Sequence, residues 1–137
     1  MRQSQVQLKE YCFTNTRVEL SPNFKRSKKY LLEAEHVDCS LNTCYSQKDD
    51  SYLIELAIMI DSTKFPKANL PYNVIISAFG RVSISPDYNG DKELLAVVNG
   101  ASLLYSSIRE YLLFITSRYP LGTLFLPTVN FQGMRKK

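Results

Sequence analysis

The sequence predicts an α+β protein in which a region of strands precedes a region of helices. Apolar and polar residues alternate with a period of two up to about residue 85, which is typical of strands. Apolar residues recur every three or four positions over residues 91–118, which is the helical period. The 137 residues suffice for one domain. We therefore expect a single domain with a sheet over about residues 5–85, helices over about 91–118 and a C-terminal segment over 119–137.

Four strands are expected, over residues 6–20, 30–41, 52–61 and 72–84. The third is the clearest, because every second side chain from residue 52 to residue 60 is apolar. Proline, asparagine and serine mark the turns between the strands. Gly80 interrupts the fourth strand and indicates either a bulge or a close approach of another backbone.

Two helices are expected after the strands. The first covers residues 91–98, because Asp91 can cap its start and Asn99-Gly100 can end it. The second covers residues 101–118 and is stopped by Pro120. Its apolar stripe is formed by Leu104, Ile108, Tyr111, Leu112, Ile115 and Tyr119.

Additional apolar residues of the second helix lie outside this stripe. A helix that packs only on its own sheet does not need them, so they favour a contact with another subunit. The alternative is a broad core face within one subunit. The predicted oligomer interface consists of Leu103, Tyr105, Leu113 and Phe114.

Composition and charge narrow the possible functions. With 45% hydrophobic and 22% charged residues the chain is in the globular range. No run of 18 apolar residues is present and the N-terminus has no signal-peptide core, so a cytoplasmic protein without a membrane segment is expected. The net charge is +4, and seven cations form two clusters that suit solvated segments or an acidic partner, namely Lys25, Arg26, Lys28, Lys29, Arg135, Lys136 and Lys137.

The sequence gives little support to catalysis, metal binding or nucleic-acid binding. His36 is the only histidine, and no nucleophile, phosphate-binding or dinucleotide motif occurs. A zinc site of His36, Cys39, Cys44 and Cys12 is the alternative, but its spacing fits no closed zinc pattern, so reduced thiols and no cofactor are expected. Nucleic-acid binding is disfavoured because the third strand has no basic residue and the fourth has only Arg81.

Residues 98–131 carry a resemblance to the SecB family of export chaperones. Its specific parts are the helix with Tyr105, Arg109 and Glu110 and the later run over residues 126–131, Leu-Pro-Thr-Val-Asn-Phe. A weaker, collinear similarity includes Ser21-Pro22-Asn23 at the crossover loop and Gly80 near the end of the last strand. The resemblance implies a four-stranded antiparallel sheet with a helical layer on one face, assembled as a homotetramer that is a dimer of dimers.

The resemblance also implies a function. SecB-like proteins use no ATP and hold unfolded polypeptide in apolar grooves between the crossover loop, the sheet and the helical layer. For each single position an ordinary core residue is the alternative. By position, the groove residues are expected to be Phe24, Tyr30, Leu31, Leu124, Phe125, Val129 and Phe131.

Several departures from the export members affect the expected partner. Those members are acidic and dock the basic tail of the SecA motor, whereas this chain is basic and has Asn15 and Ile75 at two aligned positions, with only Glu19 retained. The family's final helix is expected to be missing or reduced to a stub. Binding to SecA is therefore doubtful. The departures favour a chaperone dedicated to one client, such as the antitoxin of a toxin–antitoxin–chaperone module, over a general export chaperone.

Overall fold

The computed structural model describes residues 1–134, which form an antiparallel sheet of four strands with one long helix on one face. The sheet order is β1-β4-β3-β2. The predicted α+β architecture, with a four-stranded antiparallel sheet and a helical layer on one face, is confirmed. The elements are β1 (Val6–Leu20), β2 (Asp38–Ser46), β3 (Ser51–Ile60), β4 (Tyr72–Ile84) and α1 (Lys92–Thr116), with short 3-10 turns at Ala34–His36, Ser62–Lys64, Pro66–Ala68 and Phe131–Met134.

The core lies between α1 and the central strands β3 and β4. Alternate residues of β3, including Ile54 and Leu56, are fully buried on the side of the helix. The intervening side chains point to the opposite face, where Glu55 and Met59 are exposed. The period of two that the sequence shows in this strand therefore corresponds to one face in the core and one face toward solvent.

The β1 strand contains the irregularities of the sheet. Leu8 pairs with Val82 and Glu10 pairs with Arg81, so Lys9 is an extra residue in β1, and a second shift follows between Phe13 and Asn15. Both shifts occur on β1, because β4 continues through them without an insertion. Gly80 lies opposite the part of β1 between these two bulges, and a Cβ atom there would lie 3.1 Å from two side-chain atoms, Leu104 Cδ2 and Leu8 Cδ1, so side chains and not another backbone approach it closely.

The prediction of two helices was wrong, because α1 continues through Asn99 and Gly100. The Asp91 side chain caps the start of α1 as expected, accepting a 3.0 Å hydrogen bond from the Leu94 N–H. At position 100 a Cβ atom would lie well inside the van der Waals contact distance of Ile54 Cδ1 and 3.1 Å from Val82 Cγ2. The glycine therefore allows α1 to lie close to the sheet and does not end the helix.

The second strand was also placed too early in the sequence. The observed β2 starts at Asp38 and continues to Ser46, where it forms a hairpin with β3 through the pair Ser46 and Ser51. Residues 30–37 are irregular instead: the Leu31 N–H donates to the Ala68 carbonyl at 3.0 Å, and a 3-10 turn follows. The Glu33 N–H donates to His36 Nδ1 at 3.0 Å, so the side chain of His36 stabilises this turn.

Candidate functional site

Tyrosine hydroxyl groups hold the turn after α1 against the end of the sheet. The Tyr72 hydroxyl donates a 2.5 Å hydrogen bond to the Gly122 carbonyl, and the Tyr30 hydroxyl donates to the Thr123 carbonyl at 3.3 Å. Tyr119 makes the reverse contact, from its hydroxyl to the Val18 carbonyl in β1 at 3.1 Å. These bonds bring the crossover loop, residues 21–33, next to residues 119–124.

Residues 124–131 then run back along α1. The Leu124 N–H donates to Thr116 Oγ1 at 2.9 Å, at the C-terminal end of α1. The Tyr105 hydroxyl donates to the Pro127 carbonyl at 2.5 Å. Since Tyr105 precedes Thr116 by eleven positions in the helix, this part of the chain follows the helix for roughly 16 Å. Residues 119–131 are called the C-terminal segment below.

Side chains of the C-terminal segment alternate between the core and the surface. Leu124 and Leu126 are buried, whereas Phe125 between them is 60% exposed. The ring of Phe131 packs 5.7 Å from that of Tyr105, measured between centroids. Burial raises the pKa of Tyr105 to about 12, and the nearby Cys39 thiol adds to the shift. The segment thus covers the core with one set of side chains and presents another set outward.

The seven predicted groove residues fall into three groups. Leu31 and Phe125 are 58% and 60% exposed, so both can contact another chain. Phe24, Tyr30 and Val129 are half-buried, as the burial pattern shows. For Leu124 and Phe131 the structure favours the alternative of a core residue, because both are buried against this chain's own helix and sheet.

Tyr30 is the predicted groove residue that links the two parts of the site, because its hydroxyl contacts the C-terminal segment beside Leu124. The side chains of Leu31 and Phe125 here are apolar and open to solvent. Two cavities of about 280 and 180 Å³ lie elsewhere, beside Pro86 and beside Met59.

The predicted interface residues are also divided. Phe114 is 59% exposed and Leu103 is 40% exposed on the outer side of α1, and Leu113 beside them is half-buried. The Arg118 guanidinium stacks over the Phe114 ring at 5.2 Å. Tyr105 belongs to the core instead, because its side chain is covered by the C-terminal segment of the same chain.

The outer face of the sheet has Asn15 and Ile75 at the positions that the resemblance aligns with acidic residues of export chaperones. Arg17 pairs with Ile75 across β1 and β4, and Asn15 pairs with Ser77. Glu19 lies 3.7 Å from the Arg17 guanidinium, so the charge of this carboxylate is partly offset within the chain.

The candidate zinc ligands are not brought together in residues 1–134. Cys12 lies on β1 and both Cys39 and Cys44 lie on β2, the strands at opposite edges of the sheet, and all three are free thiols. No group of three or more potential metal ligands exists within residues 1–134. Over the same residues, no helix has the length and apolar character needed to cross a membrane.

Three features of the site were not found from the sequence. Leu20 is exposed at the end of β1 beside the crossover loop. Tyr72 and Tyr119 anchor the C-terminal segment through their hydroxyl groups. The sequence signal for this role is a tyrosine in an apolar pattern where phenylalanine would pack as well, because a buried hydroxyl needs a hydrogen-bond partner. Asn69 adopts a left-handed conformation (φ 52°), and its side chain makes a hydrogen bond to the crossover loop. The sequence indicates this role only weakly, through an asparagine that precedes a Leu-Pro pair.

Solved structures with the same architecture include two proteins of different organisms. The SecB-like chaperone Rv1957 of Mycobacterium tuberculosis, solved in complex with a ChAD peptide from the Rv1956 HigA1 antitoxin, matches with a TM-score of 0.54 and 14% identity, over 92% of this chain and 88% of that chain. A Streptococcus agalactiae protein of unknown function matches with a TM-score of 0.56 and 9% identity, over 88% of this chain and 95% of that one.

These likenesses establish the fold. No protein-family model matches the sequence, and a search of curated proteins finds no match. The chain has the SecB-like fold, so the resemblance seen in residues 98–131 is confirmed at the level of architecture.

Proposed function

We propose that the protein is an ATP-independent chaperone that holds an unfolded segment of one dedicated client, such as the antitoxin of a toxin–antitoxin–chaperone module. The observation that carries this proposal is the exposure of Leu31 and Phe125, which lie on the two segments that the hydrogen bond from Tyr30 to Thr123 joins. The shared fold with a chaperone that was solved with an antitoxin peptide gives further support.

The physical basis of client holding is the burial of apolar side chains. A client that covers Leu31, Phe125 and the half-buried Val129 removes apolar area from water at about 25 cal/mol per Å². Ordering of the client opposes part of this gain, so the affinity depends on several side chains acting together. No nucleotide or cofactor is needed, because the client leaves when its own folding buries the same side chains.

The proposal includes assembly as a homotetramer, a dimer of dimers, through the outer side of α1. Leu103 and Phe114 are exposed there, and a large exposed aromatic next to aliphatic side chains is typical of an interface. Three free, exposed cysteines suit a reducing compartment, which supports a cytoplasmic location. Catalysis is no part of this function.

Delivery of preproteins to SecA is less well supported than client holding. The outer face of the sheet has Arg17 and Ile75 among the residues that would meet a basic tail. Single-stranded nucleic acid is likewise less well supported, because the cations of the crossover loop are not interleaved with exposed aromatic rings on one sheet face.

Aggregation of an unfolded client provides the direct test. The full chain is mixed, without nucleotide, with a diluted denatured client, and light scattering is followed over time. We expect the scattering to be suppressed when about one chaperone assembly is present per client molecule. We also expect static light scattering of the chaperone alone to give the mass of a tetramer. A monomer that leaves the scattering unchanged would contradict the proposal.

A further inference from the structure

The crossover loop contains a positively charged turn with a defined shape. Lys25, Arg26, Lys28 and Lys29 are all exposed, and the Lys28 N–H donates to the Lys25 carbonyl at 3.1 Å, which closes the turn. None of the four cations forms an ion pair with another residue in the described part of the chain, residues 1–134. Residues 25–29 are called the basic turn below.

Asn69 fixes the basic turn in place. Its Oδ1 accepts from the Lys25 N–H at 2.9 Å, and its Nδ2 donates to the carbonyls of Lys25 and Lys28, both at 3.0 Å. One side chain thus satisfies three backbone groups of a segment that is 41–44 positions away in the sequence. The cations are presented from an ordered turn and not from a freely moving loop, which lowers the entropy cost of binding.

The surroundings of the basic turn add positive charge and few carboxylates. Residues 22–32 and 62–72, the two segments joined by Asn69, contain no aspartate or glutamate. The second segment adds Lys67, which is exposed, and Lys64, whose Nζ lies 3.6 Å from Asp38. The two segments carry six cations, whereas the carboxylates Glu33 and Asp61 border them in the sequence, so the positive charge is concentrated on the basic turn itself.

Exposed aliphatic residues lie beside the same turn. Leu31 follows the basic turn by two residues, and the Leu31 N–H is bonded to the Ala68 carbonyl next to Asn69. Leu20 is exposed just before the loop, and its neighbour Ser21 donates to the Pro71 carbonyl at 2.8 Å. Three residues of an extended chain span at most about 10 Å, so a bound peptide could contact Leu31 and Lys28 within one short stretch.

We propose that the client segment held at this site has carboxylates flanking its apolar residues, with the acidic flank lying on the basic turn. The proposal rests on the chaperone function proposed above and adds the charge of the client. Carboxylates on the flank would pair with cations at the rim of the site, where such pairs set partner choice and association rate more than total affinity.

An acidic polypeptide is favoured over a nucleic acid by the residues beside the cations. Proteins that bind single strands stack bases on aromatic rings next to the positive charge. Here the exposed neighbours are Leu20 and Leu31, which would bury client side chains but offer no stacking surface, and the ring of Phe24 before Lys25 is half-buried. The ring of Tyr30 is half-buried, and its hydroxyl is held by the C-terminal segment.

Labelled peptides test the proposal by fluorescence anisotropy with the full chain. Three peptides share one apolar centre and carry flanks of Asp and Glu, of Ser and Gln, or of Lys; a single-stranded oligonucleotide is the fourth probe. At low salt we expect the acidic peptide to bind about tenfold more tightly than the neutral one, a gap that falls below about twofold at high salt because the rim pairs are screened.

Two matched variants assign the preference to the basic turn. The first combines Lys25→Ser, Arg26→Ser, Lys28→Ser and Lys29→Ser and should lose the preference for the acidic flank. The control removes four exposed cations elsewhere, through Arg2→Ser, Lys9→Ser, Lys48→Ser and Lys92→Ser, and should keep that preference although its net charge changes equally. Equal loss in both variants would show that net charge alone is responsible and would overturn the proposal.

The remaining outcomes separate the client's charge from the chaperone function. If all three peptides bind with equal affinity, the charge preference is overturned and the chaperone function stands. If no peptide binds, both proposals are overturned. Tighter binding of the oligonucleotide than of the acidic peptide would assign the basic turn to nucleic acid and would also overturn the proposal.

Discussion

Gly100 in α1 packs directly against the side chain of Ile54 in β3, and a methyl group at position 100 would overlap Ile54 Cδ1. Ile54 is fully buried, so its side chain has little room to move. The contact explains why a glycine occurs in the middle of a 25-residue helix, where alanine would otherwise be favoured by about 1 kcal/mol.

The first prediction concerns this contact. Gly100→Ala should lower the free energy of unfolding by about 1 kcal/mol, because overpacking costs about 1–3 kcal/mol and helix propensity returns about 1 kcal/mol. Ile54→Val removes Cδ1 and should cost about 1 kcal/mol alone. The double variant should be no less stable than Ile54→Val. Urea unfolding measures all three, and strictly additive losses would show that the overlap has no energetic consequence.

The second prediction concerns pH. The pKa of Tyr105 is about 12 in the folded protein because of burial, against a usual value of 10.0, so the folded state keeps this proton to higher pH. The resulting stability is present below pH 10 and is lost as the pH rises from about 10 to about 12, by up to about 2 kcal/mol.

Tyr105→Phe tests the source of that pH dependence. The free energy of unfolding of the variant should fall less steeply over the same pH window. At neutral pH it should be about 1 kcal/mol lower than that of the wild type, because the hydrogen bond to Pro127 is lost. Urea unfolding between pH 9 and pH 12 measures both effects. The control is Tyr11→Phe on the exposed part of β1, and an equal change of slope in both variants would contradict the assignment.

The third prediction separates client contacts from core contacts in the C-terminal segment and the crossover loop. Leu31→Ser and Phe125→Ser should weaken client holding while changing the free energy of unfolding by less than about 0.5 kcal/mol, because both side chains are exposed. Leu124→Ser and Phe131→Ser should cost about 2–5 kcal/mol, because both are buried. Light scattering with a client and urea unfolding give the two readouts. Unchanged holding by both exposed-site variants would place the client elsewhere.

The fourth prediction concerns self-association. Combining Leu103→Ser with Phe114→Ser should shift the assembly to smaller species, since both exposed side chains lie on the outer side of α1. Light scattering coupled to gel filtration measures the mass. Met59→Ser, on the outer face of the sheet, is the control and should leave the mass unchanged. The same mass for both variants would exclude this side of α1 as the interface.

The fifth prediction concerns the basic turn. Glycine tolerates the left-handed backbone conformation at position 69, so Asn69→Gly should leave that conformation in place. The substitution removes the three hydrogen bonds of the Asn69 side chain, so residues 25–29 should become more mobile. Trypsin should then cleave after these lysine and arginine residues several times faster, as mass spectrometry of the fragments can show. Asn89→Gly in another exposed loop is the control. Equal cleavage rates in wild type and Asn69→Gly would mean that the amide does not order the turn.

The parts of the fold that alternation determines could be predicted from the sequence. The bounds of β4 were predicted as observed and those of β3 within one residue, because one buried face imposes a period of two. The second strand was misplaced because residues 30–37 also alternate, although their backbone is held by a loop hydrogen bond at Leu31. The Asn99-Gly100 pair was misread as a helix stop, because its packing partner Ile54 lies 46 positions earlier in the sequence.

The site was less accessible to sequence reasoning than the fold. Their positions in the chain predicted that Phe125 and Phe131 both line the groove. Phe125 faces solvent and Phe131 is buried, and this difference depends on how the C-terminal segment lies on α1. The interface set likewise included Tyr105, whose burial follows from a contact with Pro127 that no spacing reveals. The single-domain organisation, the groove and the interface remain predictions, and Arg135, Lys136 and Lys137 of the second basic cluster lie outside the described residues.

The three tyrosine hydroxyls that hold the C-terminal segment all bond to main-chain carbonyl groups, at residues 122, 123 and 127. Every amino acid supplies such a carbonyl, so the path of the segment does not depend on which side chains it carries at its outward positions. Substitutions at Phe125 or Thr128 could therefore alter what the surface recognises without rerouting the backbone. A protein built in this way can acquire a new binding preference through single substitutions while its architecture is preserved.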